Sequence, residues 1–214
     1  MAEQTAGVSG LDRGQCLINH DSGVGEADHC TITAVGRDAE DRLVTLSAAH
    51  CARDSVSGEL IELWVDEQKV GQFVSAERTV PGLPGSLQPG YYDFAFAVLD
   101  ESRVEIASER GADVSAGLPA EDAKVGTFTK VCKSGMTTGP DLWPLHRNRG
   151  TTPREHIVAV HMRPGDSGGP LYTEDGHPLR IASRILPNYF GDVRDALAYA
   201  LSKGWVGGGF EPIA

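Results

Sequence analysis

The ten residues Arg163–Tyr172 read Arg-Pro-Gly-Asp-Ser-Gly-Gly-Pro-Leu-Tyr, and they organise the interpretation of the whole chain. Glycines on both sides of Ser167 permit backbone angles closed to other residues and let a second molecule approach closely. The amides of Gly165 and Ser167 could then converge beside the serine hydroxyl, as acyl transfer requires for a developing oxyanion. Asp-Ser-Gly-Gly is also common turn chemistry, so an ordinary hairpin turn is the competing interpretation of this stretch alone.

A serine hydroxyl is a weak nucleophile until a base takes its proton. His50 is the candidate base, because an apolar strand beginning at Val44 runs through small residues into His50 and Cys51. The third group should be a carboxylate that fixes the imidazole tautomer. Asp93 stands at the start of an alternating, strongly apolar stretch and meets that description.

These segments resemble the chymotrypsin-like (trypsin fold) serine peptidases, in the family's order of His, Asp and Ser. The resemblance implies an all-β fold of two antiparallel six-stranded β-barrels with a C-terminal helix. It implies a serine endopeptidase whose triad is His50, Asp93 and Ser167, with the amides of Gly165 and Ser167 as the oxyanion hole. A protein or peptide substrate is expected, and neither a metal nor an organic cofactor.

Residues 165–169 also fit the Gly-x-Ser-x-Gly elbow of α/β-hydrolases, in which the acid and the histidine follow the serine. After Ser167 only His177 remains, inside a turn signal. That leaves no room for the crossover units such a fold needs, so we reject the elbow.

The composition agrees with an all-β domain pair. The 214 residues include 26 glycines and 12 prolines, which favours many short strands joined by tight turns. We expect residues 1–105 to form the barrel carrying His50 and Asp93, and residues 106–214 the barrel carrying Ser167. A helix is predicted over Asp192–Ser202 from one apolar face, made of Val193, Ala196, Leu197, Ala200 and Leu201.

The net charge of −11 argues against nucleic acid as a partner and for a freely diffusing protein, which we expect to be a monomer. No apolar run is long enough to span a bilayer. The start Met1–Gln4 is polar and no apolar segment follows it, so no signal peptide is predicted. We expect a secreted or otherwise exported protein, whose leader would then have been removed.

The four cysteines suit two disulfides in an oxidising compartment, or four thiols in the cytosol. The family resemblance favours Cys30–Cys51, and this leaves Cys16–Cys132 as the second pair. A zinc site is the competing hypothesis, but the sequence contains no Cys or His pair at ligand spacing.

The segment Val131–Gly139, Val-Cys-Lys-Ser-Gly-Met-Thr-Thr-Gly, resembles the bacterial secreted branch of the family. Animal members bury an N-terminal Ile-Val-Gly-Gly that pairs with the Asp before the catalytic Ser, and this chain lacks that sequence. In the bacterial branch a basic residue after the Cys pairs with that Asp instead. The resemblance therefore implies an ion pair between Lys133 and Asp166, whereas the alternative is a solvated Lys133.

The resemblance also places the substrate pocket, at positions where this sequence departs from the family. The expected lining residues are His161, Met162, Ser183, Arg184 and Ile185. Arg184 and Ile185 replace an open, glycine-containing pair, so the pocket is either occluded or positively charged and selective for an acidic side chain. A catalytically silent or closed binding module is the alternative function.

Overall fold

The computed structural model describes residues 8–11, 16–18, 29–65, 68–79, 92–106, 130–139, 141–144, 156–157, 160–173, 178–185 and 188–213. The strands are β1 Val8–Leu11, β2 Cys16–Ile18, β3 His29–Thr31, β4 Ala34–Arg37, β5 Leu43–Ser47, β6 Glu62–Val65, β7 Gln68–Thr79, β8 Tyr92–Leu99, β9 Val104–Ile106, β10 Lys130–Lys133, β11 Asp141–Pro144, β12 His156–Ile157, β13 Pro170–Thr173, β14 Pro178–Ile185, β15 Asn188–Asp192 and β16 Glu211–Pro212. A 3₁₀ turn covers Ala49–Cys51, and helix α1 covers Val193–Lys203.

Two antiparallel sheets make up most of the structure, as predicted. The first has the strand order β16-β4-β5-β8-β7-β6-β2-β3, and the second has the order β11-β10-β13-β14-β15-β12. They correspond to the two expected barrels, although the described residues form open sheets. The proposed division after residue 105 stays a prediction, and β16 near the end of the chain pairs with β4 in the first sheet.

Strand β8 is buried on both faces, because the C-terminal segment covers the side that would otherwise meet water. Tyr92 and Phe94 pack against Tyr199 of α1, with ring centroids 5.1 and 5.8 Å apart. Phe96 packs against Phe210 further along. Every residue of β8 except Val98 is consequently buried, so its alternating pattern distinguishes large from small side chains rather than inside from outside.

Strands β3 and β4 are separated by Ile32 and Thr33, because the backbone changes its hydrogen-bond partner there. The Thr31 amide donates to the carbonyl of Ser167 at 2.7 Å, whereas the Thr33 amide donates to Leu46 at 2.7 Å. The break therefore joins the first sheet to the serine-bearing turn.

Helix α1 confirms the predicted C-terminal helix, with one correction to its apolar face. The Asp192 side chain caps it by accepting from the amide of Arg194 at 2.9 Å, and Gly204 ends it in the left-handed region with φ 63°. Leu201 was predicted on the buried face, but this residue is 64% exposed. No helix in the described part of the chain has the length and apolar character of a membrane span.

The disulfide Cys30–Cys51 is present as predicted, and the second predicted pair is wrong. Cys132 retains its thiol, buried against Tyr172. Its strand β10 lies in the second sheet, whereas the strand that contains Cys16 pairs in the first sheet. The two cysteines therefore belong to different sheets, and Cys132 packs on Tyr172 of the adjacent strand β13.

We expect the Cys132 thiol to resist alkylation in the native protein and to react on unfolding without reductant, because its side chain is buried. Peptide mapping after iodoacetamide treatment measures this. Cys30 and Cys51 provide the internal control, since their peptides should be labelled only after reduction. A Cys132 peptide that also needs reductant would contradict the assignment.

Asp192→Ala should lower the free energy of unfolding by about 1–2 kcal/mol through loss of the helix cap. Asp192 also pairs with Arg180 at 2.8 Å. Asp192→Asn is the matched control, because asparagine can cap the helix but carries no charge. Chemical denaturation of both variants separates the two contributions, and equal losses would show that the ion pair, not the cap, dominates.

Candidate active site

His50 and Asp93 are held together by two contacts. The 3₁₀ turn after β5 directs the His50 amide to Asp93 Oδ1 at 3.0 Å, while His50 Nδ1 lies 2.8 Å from Asp93 Oδ2. The imidazole is 25% exposed and the carboxylate 1% exposed. With its proton on Nδ1, the ring is fixed in orientation by the carboxylate and keeps Nε2 available as a base.

A third group, Ser183 Oγ, donates to Asp93 Oδ2. Burial alone would raise the pKa of Asp93, but the charge of His50 and the hydrogen bonds from His50 and Ser183 outweigh it and lower that pKa. Asp93 therefore stays ionised at neutral pH. Ser183 was predicted to line the substrate pocket, and the structure shows it contacting the carboxylate.

The turn that carries Ser167 is built on two glycines in the left-handed region, Gly165 with φ 99° and Gly168 with φ 82°. Gly168 lies so close to Ser47 and Thr31 that a Cβ would overlap Ser47 Oγ and the Thr31 carbonyl. Because Ser47 ends the strand that leads into the His50 turn, this close approach brings the serine turn to the His50 side of the first sheet.

Three amides of this turn form hydrogen bonds to backbone carbonyls. The amides of Asp166, Gly168 and Gly169 donate to the carbonyls of Arg163, Ala182 and Asp166, respectively, at 2.6–3.0 Å. Within the part of the chain that the structure describes, the amides of Gly165 and Ser167 donate to no protein acceptor. They are the two amides that the sequence predicted to stabilise an oxyanion.

Lys133 Nζ lies 3.1 Å from Asp166 Oδ2, and both side chains are fully buried. Burial alone would raise the pKa of Asp166. Hydrogen bonds from the Arg163 amide and the Thr138 hydroxyl, together with the charge of Lys133, outweigh burial and lower that pKa. The amides of Thr137 and Thr138 donate to the other carboxylate oxygen at 3.0 and 3.1 Å.

The remaining predicted pocket residues are only partly described. His161 is exposed and Met162 is buried, in the segment that precedes Ser167. Arg184 and Ile185 belong to β14, but their side chains lie outside the described part of the chain. The pocket formed by these five residues therefore stays a prediction.

Three threonine hydroxyls at the site were not singled out from the sequence. Thr31 Oγ1 donates to the Gly165 carbonyl at 2.7 Å, and Thr33 Oγ1 to the Gly168 carbonyl at 2.5 Å. Thr137 Oγ1 donates to the Pro164 carbonyl at 2.6 Å. The available signal was the alternation of Thr31 and Thr33 in an otherwise apolar strand, since a buried hydroxyl usually has a partner.

One group of metal-ligating residue types lies within ligand distance in the described part of the chain, and it consists of Cys30, His50 and Cys51. The two sulfur atoms are joined in the disulfide. Metal binding requires thiolates, so this group offers only the imidazole in the oxidised protein.

The fold is that of the chymotrypsin-like serine proteases. Nocardiopsis protease (NAPase) matches with a TM-score of 0.58 at 19% identity, over 89% of this chain and 96% of that one. Thermobifida fusca protease A matches with a TM-score of 0.59 at 15% identity, over 96% of this chain and 100% of that one.

A glutamic-acid-specific serine protease that uses a histidine triad in substrate binding matches with a TM-score of 0.55 at 13% identity, over 94% of this chain and 98% of that one. No protein-family model and no curated protein matches the chain. At these identities the likeness establishes the fold.

Lys133→Met should lower the free energy of unfolding by about 3–5 kcal/mol, because it leaves the buried Asp166 carboxylate without its countercharge. Chemical denaturation at pH 7 measures the loss. The control is Lys133→Met combined with Asp166→Asn, which should recover part of it because no buried charge remains. A single variant as stable as the parent would show that the pair contributes little.

The contribution of Asp166 to the free energy of unfolding depends on pH with a definite sign, because the pKa of this carboxyl is lowered in the folded protein. The stabilisation is present above the ordinary carboxyl pKa of about 3.9 and is lost as the pH falls through the lower folded value. The melting temperature of Asp166→Asn should therefore fall less steeply than that of the parent below about pH 4. Parallel curves would contradict this contribution.

Proposed function

We propose that this protein is a serine endopeptidase that hydrolyses peptide bonds through an acyl-enzyme. The His50–Asp93 contact of 2.8 Å, with the carboxylate buried and ionised, is the observation that carries the proposal. A buried carboxylate oriented against an imidazole of intermediate exposure is the arrangement of a general base. The fold supports the same reaction class.

In the proposed reaction His50 Nε2 takes the proton of Ser167 Oγ as the serine attacks the scissile carbonyl. The amides of Gly165 and Ser167 donate to the oxyanion, and Asp93 stabilises the imidazolium that forms. The imidazolium then gives its proton to the leaving amine, and the acyl group stays on Ser167. Water, deprotonated by His50, attacks this ester and releases the acid, so that Ser167 regains its proton.

The substrate is a protein or peptide, and two hypotheses describe its side-chain preference. His161 and Arg163 have exposed side chains in the segment before Ser167, and a positive pocket would favour an acidic side chain. The fold-related glutamic-acid-specific protease, which uses histidines in substrate binding, supports this hypothesis. Occlusion by Arg184 and Ile185 is the other hypothesis, and it would restrict the enzyme to small side chains.

The disulfide Cys30–Cys51 supports an oxidising location, because such bonds persist mainly outside the cytosol. We therefore infer a secreted or otherwise exported enzyme. A monomeric state and the absence of nucleic-acid binding stay predictions from the charge.

A fluorophosphonate should add once to the folded, oxidised parent protein and not to Ser167→Ala, because only an activated serine with a donor for the phosphoryl oxygen reacts. Intact mass measures the adduct. Turnover of a model ester should also fall on the order of 10⁶-fold in His50→Ala if the triad acts as a unit.

Ser202→Ala is the matched control, because Ser202 is an exposed serine of α1 whose hydroxyl donates to a backbone carbonyl. It should react like the parent. A folded, oxidised parent that forms no adduct would overturn the active-peptidase proposal and favour the silent or closed binding module.

A further inference from the structure

Two peptide groups supply the Gly165 and Ser167 amides, and each of them is oriented through its carbonyl. A peptide group is planar and normally trans, so its N–H and C=O point in opposite directions. The carbonyl paired with the Ser167 amide is that of Asp166, and the Gly169 amide donates to it at 3.0 Å. This restraint lies within the turn itself.

The carbonyl paired with the Gly165 amide is that of Pro164, and its restraint comes from a different segment. Thr137 Oγ1 donates to it at 2.6 Å. This contact holds the carbonyl toward Thr137 and directs the Gly165 amide to the opposite side. A larger residue at position 165 could not take over this restraint, because its Cβ would overlap Thr137 Oγ1.

The backbone of Thr137 is held in place by a hydrogen bond to the buried ion pair. Its amide donates to Asp166 Oδ1 at 3.0 Å, and Asp166 is paired with the fully buried Lys133. The hydroxyl therefore stands at a set position relative to the turn. On the other side of Gly165, the Thr31 hydroxyl donates to the Gly165 carbonyl and accepts from the Met136 amide at 3.0 Å.

We infer that Thr137 is a positioning residue for the oxyanion hole: its hydroxyl keeps the Pro164–Gly165 peptide in the orientation that presents the Gly165 amide to the substrate. Without that hydroxyl the peptide can rotate, because the glycine at position 165 tolerates the alternative backbone angles. The inference rests on the proposed peptidase function, since it assigns Thr137 a part in that reaction.

Thr137→Val removes the hydroxyl and preserves the side-chain shape. We expect its kcat on a model ester such as p-nitrophenyl acetate to fall about tenfold with little change in KM. That lies between the roughly fivefold effect of one net hydrogen bond and the 10²–10³-fold effect of deleting an oxyanion donor. The rate of fluorophosphonate addition should fall in parallel.

Thr137→Ser is the conservative variant and should retain activity within about threefold of the parent, because it keeps the donor. Thr45→Val is the matched control. It removes a threonine hydroxyl that donates to a backbone carbonyl, that of Ala34 at 2.9 Å, in the first sheet. It should lower stability without lowering kcat in the folded fraction. Melting curves of all variants establish that folded protein is compared.

Four outcomes decide the inference. A Thr137→Val variant with parental kcat and parental fluorophosphonate rate overturns it while leaving the peptidase proposal intact. Equal losses in Thr137→Val and Thr137→Ser also overturn it, because the hydroxyl would then not be the cause. A parent that reacts with no fluorophosphonate defeats both proposals together. A crystal structure of Thr137→Val with the Pro164–Gly165 peptide rotated would support the inference directly, even if the variant is unstable.

Discussion

The buried carboxylate of Asp166 imposes the constraint on which the rest of the site depends. A charge removed from water costs several kcal/mol unless other groups compensate it. Its five donors come from the end of β10, from the loop that follows it and from the segment before Ser167. Satisfying this one carboxylate therefore fixes three segments relative to one another. These three segments in turn set the position of the turn that carries Ser167.

At the junction between the two sheets, buried polar groups are also satisfied by hydrogen bonds, but here the groups are neutral. Backbone carbonyls that leave a strand and enter a turn need donors if they are buried. Thr31, Thr33 and Ser47 supply hydroxyls there, and all three side chains are buried. Small polar residues suit this junction because Gly168 approaches the first sheet too closely for a larger side chain beside it. The position of the serine-bearing turn against the strand that leads to His50 is thus a packing result as much as a chemical one.

Burial patterns explain where the sequence interpretation was incomplete. Strand β8 alternates in size while remaining buried on both faces, because α1 and the segment after it cover the outer side. Leu201 looked like part of the apolar face of α1 from spacing alone, yet the helix packs by a narrower stripe and leaves it exposed. Ser183 was assigned to the pocket strand, and the spacing gave no sign that its hydroxyl donates to Asp93. In each case the neighbouring element, which periodicity does not specify, decided the environment.

The sequence by itself determined the chemical groups, their order along the chain and the local signals: the glycines of the turn, the cap at Asp192 and the basic residue after Cys132. These follow from short-range rules of backbone angle, capping and residue type, which a linear pattern records. Only the tertiary structure decided which donor meets which carbonyl, and that Cys132 packs on Tyr172 instead of bonding to Cys16. The contact between Thr31 and Gly165 joins residues 134 positions apart. Such a contact depends on how two sheets pack, and the many possible pairings of buried polar groups are resolved only when the whole core is assembled.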